Sequence, residues 1–179
     1  GEWEHGGLYK ACIITGQKKK WVMFYNAKNR KEKWNEQIGM AASDDLLHWR
    51  RYTGNPVLTN GSWDSTFTSD PYVVYDSGKW LMFYYGIGRM DNSDYFYHAE
   101  DGLAFSDDLE HWEKVLNPIL VHGKPRDYDN HHAHKPAIFY ENGVLFHFYC
   151  GTCAASAKYT TELFGEYRTI CVAASRKIW

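Results

Sequence analysis

SDPYVVYDSGKWLMFYYG (Ser69–Gly86) holds an apolar run, a Ser-Gly turn and a second apolar run. β-Branched and aromatic side chains on both sides of a short turn specify a β-hairpin. The phrase recurs as HKPAIFYENGVLFHFYCG (His134–Gly151) and, with one extra turn residue, as YKACIITGQKKKWVMFYNA (Tyr9–Ala27). Each hairpin is followed by a third run ending in tryptophan: IGMAASDDLLHW (Ile38–Trp49), DGLAFSDDLEHW (Asp101–Trp112) and ICVAASRKIW (Ile170–Trp179). Setting Gly78 on Gly143 puts Asp70 on Lys135, and setting Ile13-Ile14 on Val73-Val74 puts Lys10 at the same place. Successive copies therefore lie 60 and 65 residues apart (70 − 10, then 135 − 70).

A repeat of this length made of short antiparallel strands is the signature of a propeller blade. The expected fold is all-β, a β-propeller of four-stranded blades in a single domain, with repeats at approximately 1–60, 61–124 and 125–179. The fourth strand is expected in NPVL (Asn55–Leu58) and NPIL (Asn117–Leu120). SDDLLHW and SDDLEHW read as turns, their aspartates bonding local backbone amides and Trp49 and Trp112 packing between blades. Three copies are fewer than a closed ring needs, so the chain is expected to be part of a longer propeller, or to be completed by another chain in a homo-oligomer.

With 20 Lys+Arg against 22 Asp+Glu the net charge is −2, which leaves no basic field for a phosphate backbone and argues against a nucleic-acid partner. No stretch approaches the ~18 apolar residues of a membrane span, and GEWEHGGLYK lacks a signal peptide's apolar segment. A signal already removed leaves no trace, so secretion stays open. Four cysteines are too few for a disulfide scaffold of this size, and Cys150 and Cys153 read as structural thiols at a strand end. Aromatic residues make up 17% of the chain, which suits both strands and flat stacking surfaces. No motif calls for a cofactor.

In a propeller the first strand of each blade lines the axis, so Tyr9-Lys10, Ser69-Asp70 and His134-Lys135 should converge on one pocket. Asp70 is then either a turn cap or a functional carboxylate. The segment Tyr128–His134 (YDNHHAH) reads as a polar loop, as the source of a general acid, or as a metal site of His131, His132 and His134. Lys10 and Lys135 could neutralise Asp70, support it structurally or hold substrate hydroxyls. Trp63, Phe67, Arg89 and His132 are further candidates for the substrate surface, although most aromatics in such a chain are core.

The Ser-Asp-Pro at 69–71 with its alternating strand, and the paired SDDLxHW and NPVL/NPIL segments, resemble the five-bladed propeller glycosidases of families 32, 43 and 117. The resemblance covers essentially the whole chain. It implies carbohydrate as the substrate and hydrolysis at an anomeric carbon. By position Asp70 takes the role of the second aspartate, which stabilises positive charge on the sugar ring and orients the acid. His134, two residues before Pro136, takes the acid's place. Those families usually have Glu there, and family 117, with a histidine, is the nearer likeness. A neighbouring carboxylate is expected to raise His134 above its ordinary value of about 6.5, so that it donates its proton to the leaving oxygen. Lys10 stands where the first copy would need an aspartate, which implies a catalytic base upstream of Gly1. No metal is implied by the resemblance. A non-catalytic sugar-binding propeller and a His-based metal site are the rival readings, and a protein-interaction scaffold is a third.

Overall fold

The computed structural model describes residues 2–16, 18–31, 35–88, 97–154 and 165–175. After a 3-10 turn at Glu2–Glu4, these residues form eleven strands in three groups. The first group is β1 (Gly7–Thr15), β2 (Trp21–Lys28), β3 (Glu36–Ser43) and β4 (Arg50–Arg51). The second is β5 (Phe67–Asp76), β6 (Lys79–Ile87), β7 (Ala99–Ser106) and β8 (Glu113–Lys114). The third is β9 (His132–Glu141), β10 (Val144–Ala154) and β11 (Glu166–Ala174). Within each group consecutive strands pair antiparallel, as the repeat requires. The first two sheets touch in the ladder only through the parallel pair Glu36 and Phe67. Among the described residues no helix is long and apolar enough to cross a membrane.

The hairpin turns are built as the sequence reads. Ser77-Gly78 and Asn142-Gly143 all have positive φ, the combination a right-twisted two-residue hairpin turn demands. Side chains then alternate across each sheet. Trp80, Met82 and Tyr84 of β6 pack with Val22, Phe24, Ile38 and Met40 in the core between the first two sheets. Phe83 and Tyr85 point the other way and meet His147 and His134 of the third.

The two Ser-Asp-Asp segments are near-copies. Ser43 Oγ accepts from the amides of Asp45 and Leu46, and Asp45 Oδ1 from those of Leu47 and His48. Ser106 and Asp108 repeat this with Asp108, Leu109, Glu110 and His111. Each turn ends with an indole N–H donating back three residues, Trp49 to Leu46 and Trp112 to Leu109. Trp112 meets Phe24 of the neighbouring sheet edge-on, with ring centroids 5.6 Å apart. Trp49 packs instead against the opposite face of the first sheet, beside Tyr25, Ala27 and Ala41.

The outermost strand differs from expectation. It forms immediately after each tryptophan, at β4 and β8, while the Asn-Pro segments contribute only one-residue bridges, Leu58 to Ile38 and Leu120 to Asp101. Proline has no N–H for the ladder. In the first sheet the Asn55 side chain fills the gap, its Oδ1 accepting from Met40 N and its Nδ2 donating to Met40 O.

The accessible surface is 10991 Å². A compact chain of this length is expected to expose roughly 9,000 Å². The first and third sheets account for apolar residues in that surplus: Leu8, Tyr9 and Ile13 on one, and Phe139, Tyr140, Phe148, Ile170 and Val172 on the other, are exposed.

Trp112→Ala removes the indole wedged between two sheets and should cost about 3 kcal/mol, read from urea unfolding midpoints; an unchanged midpoint would show that the wedge is dispensable.

Candidate active site

The three inner strands share one irregularity. A β-bulge interrupts β1 between Tyr9 and Ala11, β5 between Ser69 and Tyr72, and β9 between His134 and Ala137. At each bulge sits a non-glycine residue in the left-handed region: Lys10 (φ 35°), Asp70 (φ 50°) and Lys135 (φ 66°). These are the three residues that the repeat alignment makes equivalent. Such conformations cost on the order of 1–3 kcal/mol each, and bulges of this kind re-aim side chains at strand ends. β5 packs against both β1 and β9, which brings the three bulges to neighbouring positions.

Asp70 is buried. Burial pushes its carboxyl above the ordinary carboxylate value, Lys135 and Lys10 pull it down, and the nearby Glu36 pushes it up again. Both lysines are solvent-exposed. Glu36, at the start of β3, had no signal in the sequence reading, because it belongs to no repeat motif. Its Oε2 accepts from Ser69 Oγ at 2.7 Å and from Asn26 Nδ2 at 2.9 Å, and its Oε1 lies 3.4 Å from Lys28 Nζ. Ser69 Oγ also lies 3.4 Å from Asp70 Oδ1, so the two carboxylates approach to no more than about 6 Å, the sum of the two Ser69 distances.

His134 is buried beside Tyr85, edge to face, with ring centroids 5.5 Å apart. Its Nδ1 lies 3.0 Å from the Cys150 carbonyl oxygen, so Nδ1 carries the proton and Nε2 the lone pair. Burial, reinforced by His132 and Lys135, pushes its pKa down to about 3, the reverse of the expected rise. Among the described residues, the groups that shift it most include no carboxylate.

His132 takes the opposite tautomer. Its Nδ1 accepts from Ala99 N at 3.1 Å, and its Nε2 lies 3.3 Å from Glu166 Oε1. Burial likewise lowers it, to about 4, and its ring stacks on Tyr97. With both nitrogens engaged, His132 links β9 to β7 and β11. The His131 carbonyl oxygen lies 2.7 Å from His98 Nδ1. Among the described residues, no three His, Cys, Asp or Glu side chains come together as a metal site.

Trp63 lies in the packing between the first two sheets. It stacks on Tyr84 at 5.9 Å and lies over Gly86 and Gly102, where a Cβ would fall 2.5 and 2.7 Å from the indole. Phe67 is buried with Tyr85, Ile87 and Ala99, and Arg89 lies outside the described residues. The four cysteines are unpaired, and burial raises every thiol, so none is an activated nucleophile.

Beside Tyr85, its cross-strand partner, Asp101 pairs with His147 at 2.8 Å, both buried between the second and third sheets. The other carboxylate oxygen, Oδ1, has no partner. Desolvation, only partly offset by His147, pushes Asp101 up to about 7.

The Glycosyl hydrolases family 32 N-terminal domain model matches residues 2–115. The chain belongs to this family. Among curated proteins it is similar to the Beta-1,2-mannobiose phosphorylase of Thermoanaerobacter sp. (strain X514), 28% identical over 63% of this chain and 39% of that protein. It is also similar to an uncharacterized protein of Mycobacterium tuberculosis (strain CDC 1551 / Oshkosh), 31% identical over 70% of this chain and 40% of that protein. Among solved structures, a glycoside hydrolase matches with a TM-score of 0.76 and 28% identity, over 99% of this chain and 48% of that one. A family 117 glycoside hydrolase from Zobellia galactanivorans shares the fold, with a TM-score of 0.69 at 12% identity over 94% of this chain and 51% of that one. The chain thus spans about 40% of the curated relatives and about half of these structures. The family-32 chain is therefore an all-β propeller relative of glycoside hydrolases, as the repeat and the Ser-Asp-Pro motif implied.

The Asp101–His147 pair makes a sign-specific prediction for the family-32 chain. The folded state holds the Asp101 proton more tightly than the unfolded one, so this group's contribution to stability declines as pH rises from its ordinary 3.8 to about 7. Asp101→Asn should flatten that decline. Melting temperatures at about pH 5 and about pH 8 test it, and an unchanged slope in the variant would remove Asp101 from the pH response.

Proposed function

We propose that the intact protein cleaves glycosidic bonds at this axial site, with Asp70 and His134 as the groups that meet the sugar. One observation supports it above others: a buried carboxylate sits on a left-handed bulge between two equivalent bulges bearing lysines, one repeat before a buried histidine. Family membership gives that geometry its chemical context. Strained, buried, charged positions gathered from separate repeats are characteristic of sites selected for chemistry over stability.

In this reading Asp70, as the carboxylate, stabilises the positive charge that develops on the sugar ring. Lys135 and Lys10 favour its ionised form against the cost of burial. His134 enters the reaction neutral, its Nδ1–H fixed by Cys150 O and its Nε2 an acceptor. It can give a proton to a leaving oxygen only after taking one up, from a sugar hydroxyl or the attacking water. That sequence of steps replaces the resting imidazolium expected from the sequence. The carbohydrate partner is part of the same proposal. Similarity to a phosphorylase makes phosphate a candidate acceptor alongside water.

The test is turnover by the intact protein on a panel of aryl glycosides and oligosaccharides, each with and without inorganic phosphate. Asp70→Asn and His134→Gln should each lower kcat by about 10²–10⁴-fold, with melting temperatures close to that of the parent. Wild-type rates in either variant would remove that residue from the mechanism. A parent protein that binds glycans but turns over none of them would instead make the site a carbohydrate-binding one.

A further inference from the structure

We propose that Glu36 and Lys28 are positioning residues that set the charge and orientation of Asp70 through Ser69. The inference rests on the assignment of Asp70 to the site, and it concerns a pair that no sequence motif marks.

The geometry is a chain across two sheets. Lys28 on β2 faces Glu36 Oε1 at 3.4 Å, Glu36 Oε2 takes the Ser69 hydroxyl at 2.7 Å, and that hydroxyl stands 3.4 Å from Asp70 Oδ1. Asn26 Nδ2, at 2.9 Å from the same Oε2, fixes the carboxylate in place. Glu36, Ser69, Asn26 and Asp70 are all buried. Lys28 is itself seated over the rings of Tyr9 and Phe67, 5.5 and 5.8 Å from their centroids. Strand β3 meets β5 at the Glu36–Phe67 pair, so the network lies at the one ladder contact between the two sheets.

A buried carboxylate with every oxygen engaged is poorly placed to attack a sugar. It is well placed to act on its neighbour. The Ser69 hydroxyl has one proton. Donated to Glu36 at 2.7 Å, it leaves an oxygen lone pair facing Asp70, and turned to Asp70 it stabilises that carboxylate. Glu36 therefore competes with Asp70 for one hydrogen bond and repels its charge directly, while Lys28 neutralises Glu36. The charged and titratable groups that act on Asp70 are Lys10 on β1, Glu36 on β3, Tyr85 on β6, Asp101 on β7 and Lys135 on β9. Of these, Glu36, itself paired with Lys28, acts through the Ser69 hydroxyl that both carboxylates share.

The signs of two substitutions follow. Glu36→Gln removes a repelling charge and frees the Ser69 proton for Asp70, so the Asp70 titration should move to lower pH. Lys28→Met leaves Glu36 unneutralised, so the same titration should move to higher pH. A merely structural role would move both in one direction or neither. The readout is ¹³C NMR titration of the Asp70 carboxyl in the intact protein, which needs no substrate. Opposite shifts support the proposal; absent or same-direction shifts overturn it, and Glu36→Asp, restoring the charge, should bring the midpoint back towards the parent. Should the Lys28 variant not fold, Glu36→Gln in a Ser69→Ala background serves: without the shared hydroxyl the downward shift that Glu36→Gln causes should shrink, and an undiminished shift would overturn the proposal. Because the titration reads Asp70 directly, its outcome stands apart from whether the protein turns over any glycoside.

Discussion

A single extra residue in the first strand of each repeat governs the rest of this structure. Antiparallel pairing fixes the alternation of side chains so strictly that an inserted residue has either to flip everything beyond it or to be absorbed in a bulge. Here it is absorbed. The apolar alternation from Val73 to Trp80 survives and continues to build the core with Val22, Phe24 and Met40. The cost falls on one residue per strand, forced to positive φ where no glycine relieves it. Three times the chain spends backbone strain at one height in the fold, and the residues it strains are Lys10, Asp70 and Lys135.

The repeat made the fold legible because its signals are local. Ser77-Gly78 and Asn142-Gly143 fix hairpins by backbone geometry, and the Ser-Asp-Asp turns satisfy their own amides within four residues. The equivalence of Lys10, Asp70 and Lys135 could be read from spacing alone. The edge strand was misplaced for a comparable reason. NPVL and NPIL look like strands by composition, but the ladder needs N–H groups that a proline lacks, and in the first sheet the amide of Asn55 stands in for the missing bonds.

The site was legible in position and less so in chemistry. Asp70 and His134 could be found from the repeat, whereas the electrostatics around them come from residues that no pattern marks. Glu36 precedes its motif, Lys28 ends a strand, and Asp101 opens a run whose glycine and tryptophan drew the eye first. His134 illustrates the limit best. A histidine near a carboxylate suggests an imidazolium, but the sequence does not say how much water the ring loses. Burial between Tyr85 and His132, against the Cys150 carbonyl, outweighs the distant carboxylates and leaves it neutral. Trp63 and His132 show the same limit of the sequence. Both are chemically suited to a substrate, and the fold uses both as packing, one over glycines that make room for it and the other with both nitrogens committed.

Opposite displacements of neighbouring groups then give the site its character. Burial raises the buried carboxyls of Asp70 and Asp101 and lowers the imidazoles of His132 and His134, so the desolvated interior favours the neutral form of each. Specific partners resist that tendency: Lys135 and Lys10 beside Asp70, His147 beside Asp101 and Glu166 beside His132. Charge in this site is therefore maintained by specific partners and not by solvent. A group whose ionisation depends on a partner can be tuned by displacing that partner, and a substrate that excludes water from Lys10 and Lys135 would strengthen their hold on Asp70 at the moment the sugar ring becomes positive. Partner-held charge joins the strained backbone to the proposed chemistry: the bulges that strain Lys10, Asp70 and Lys135 also set two lysines beside the carboxyl whose burial they oppose.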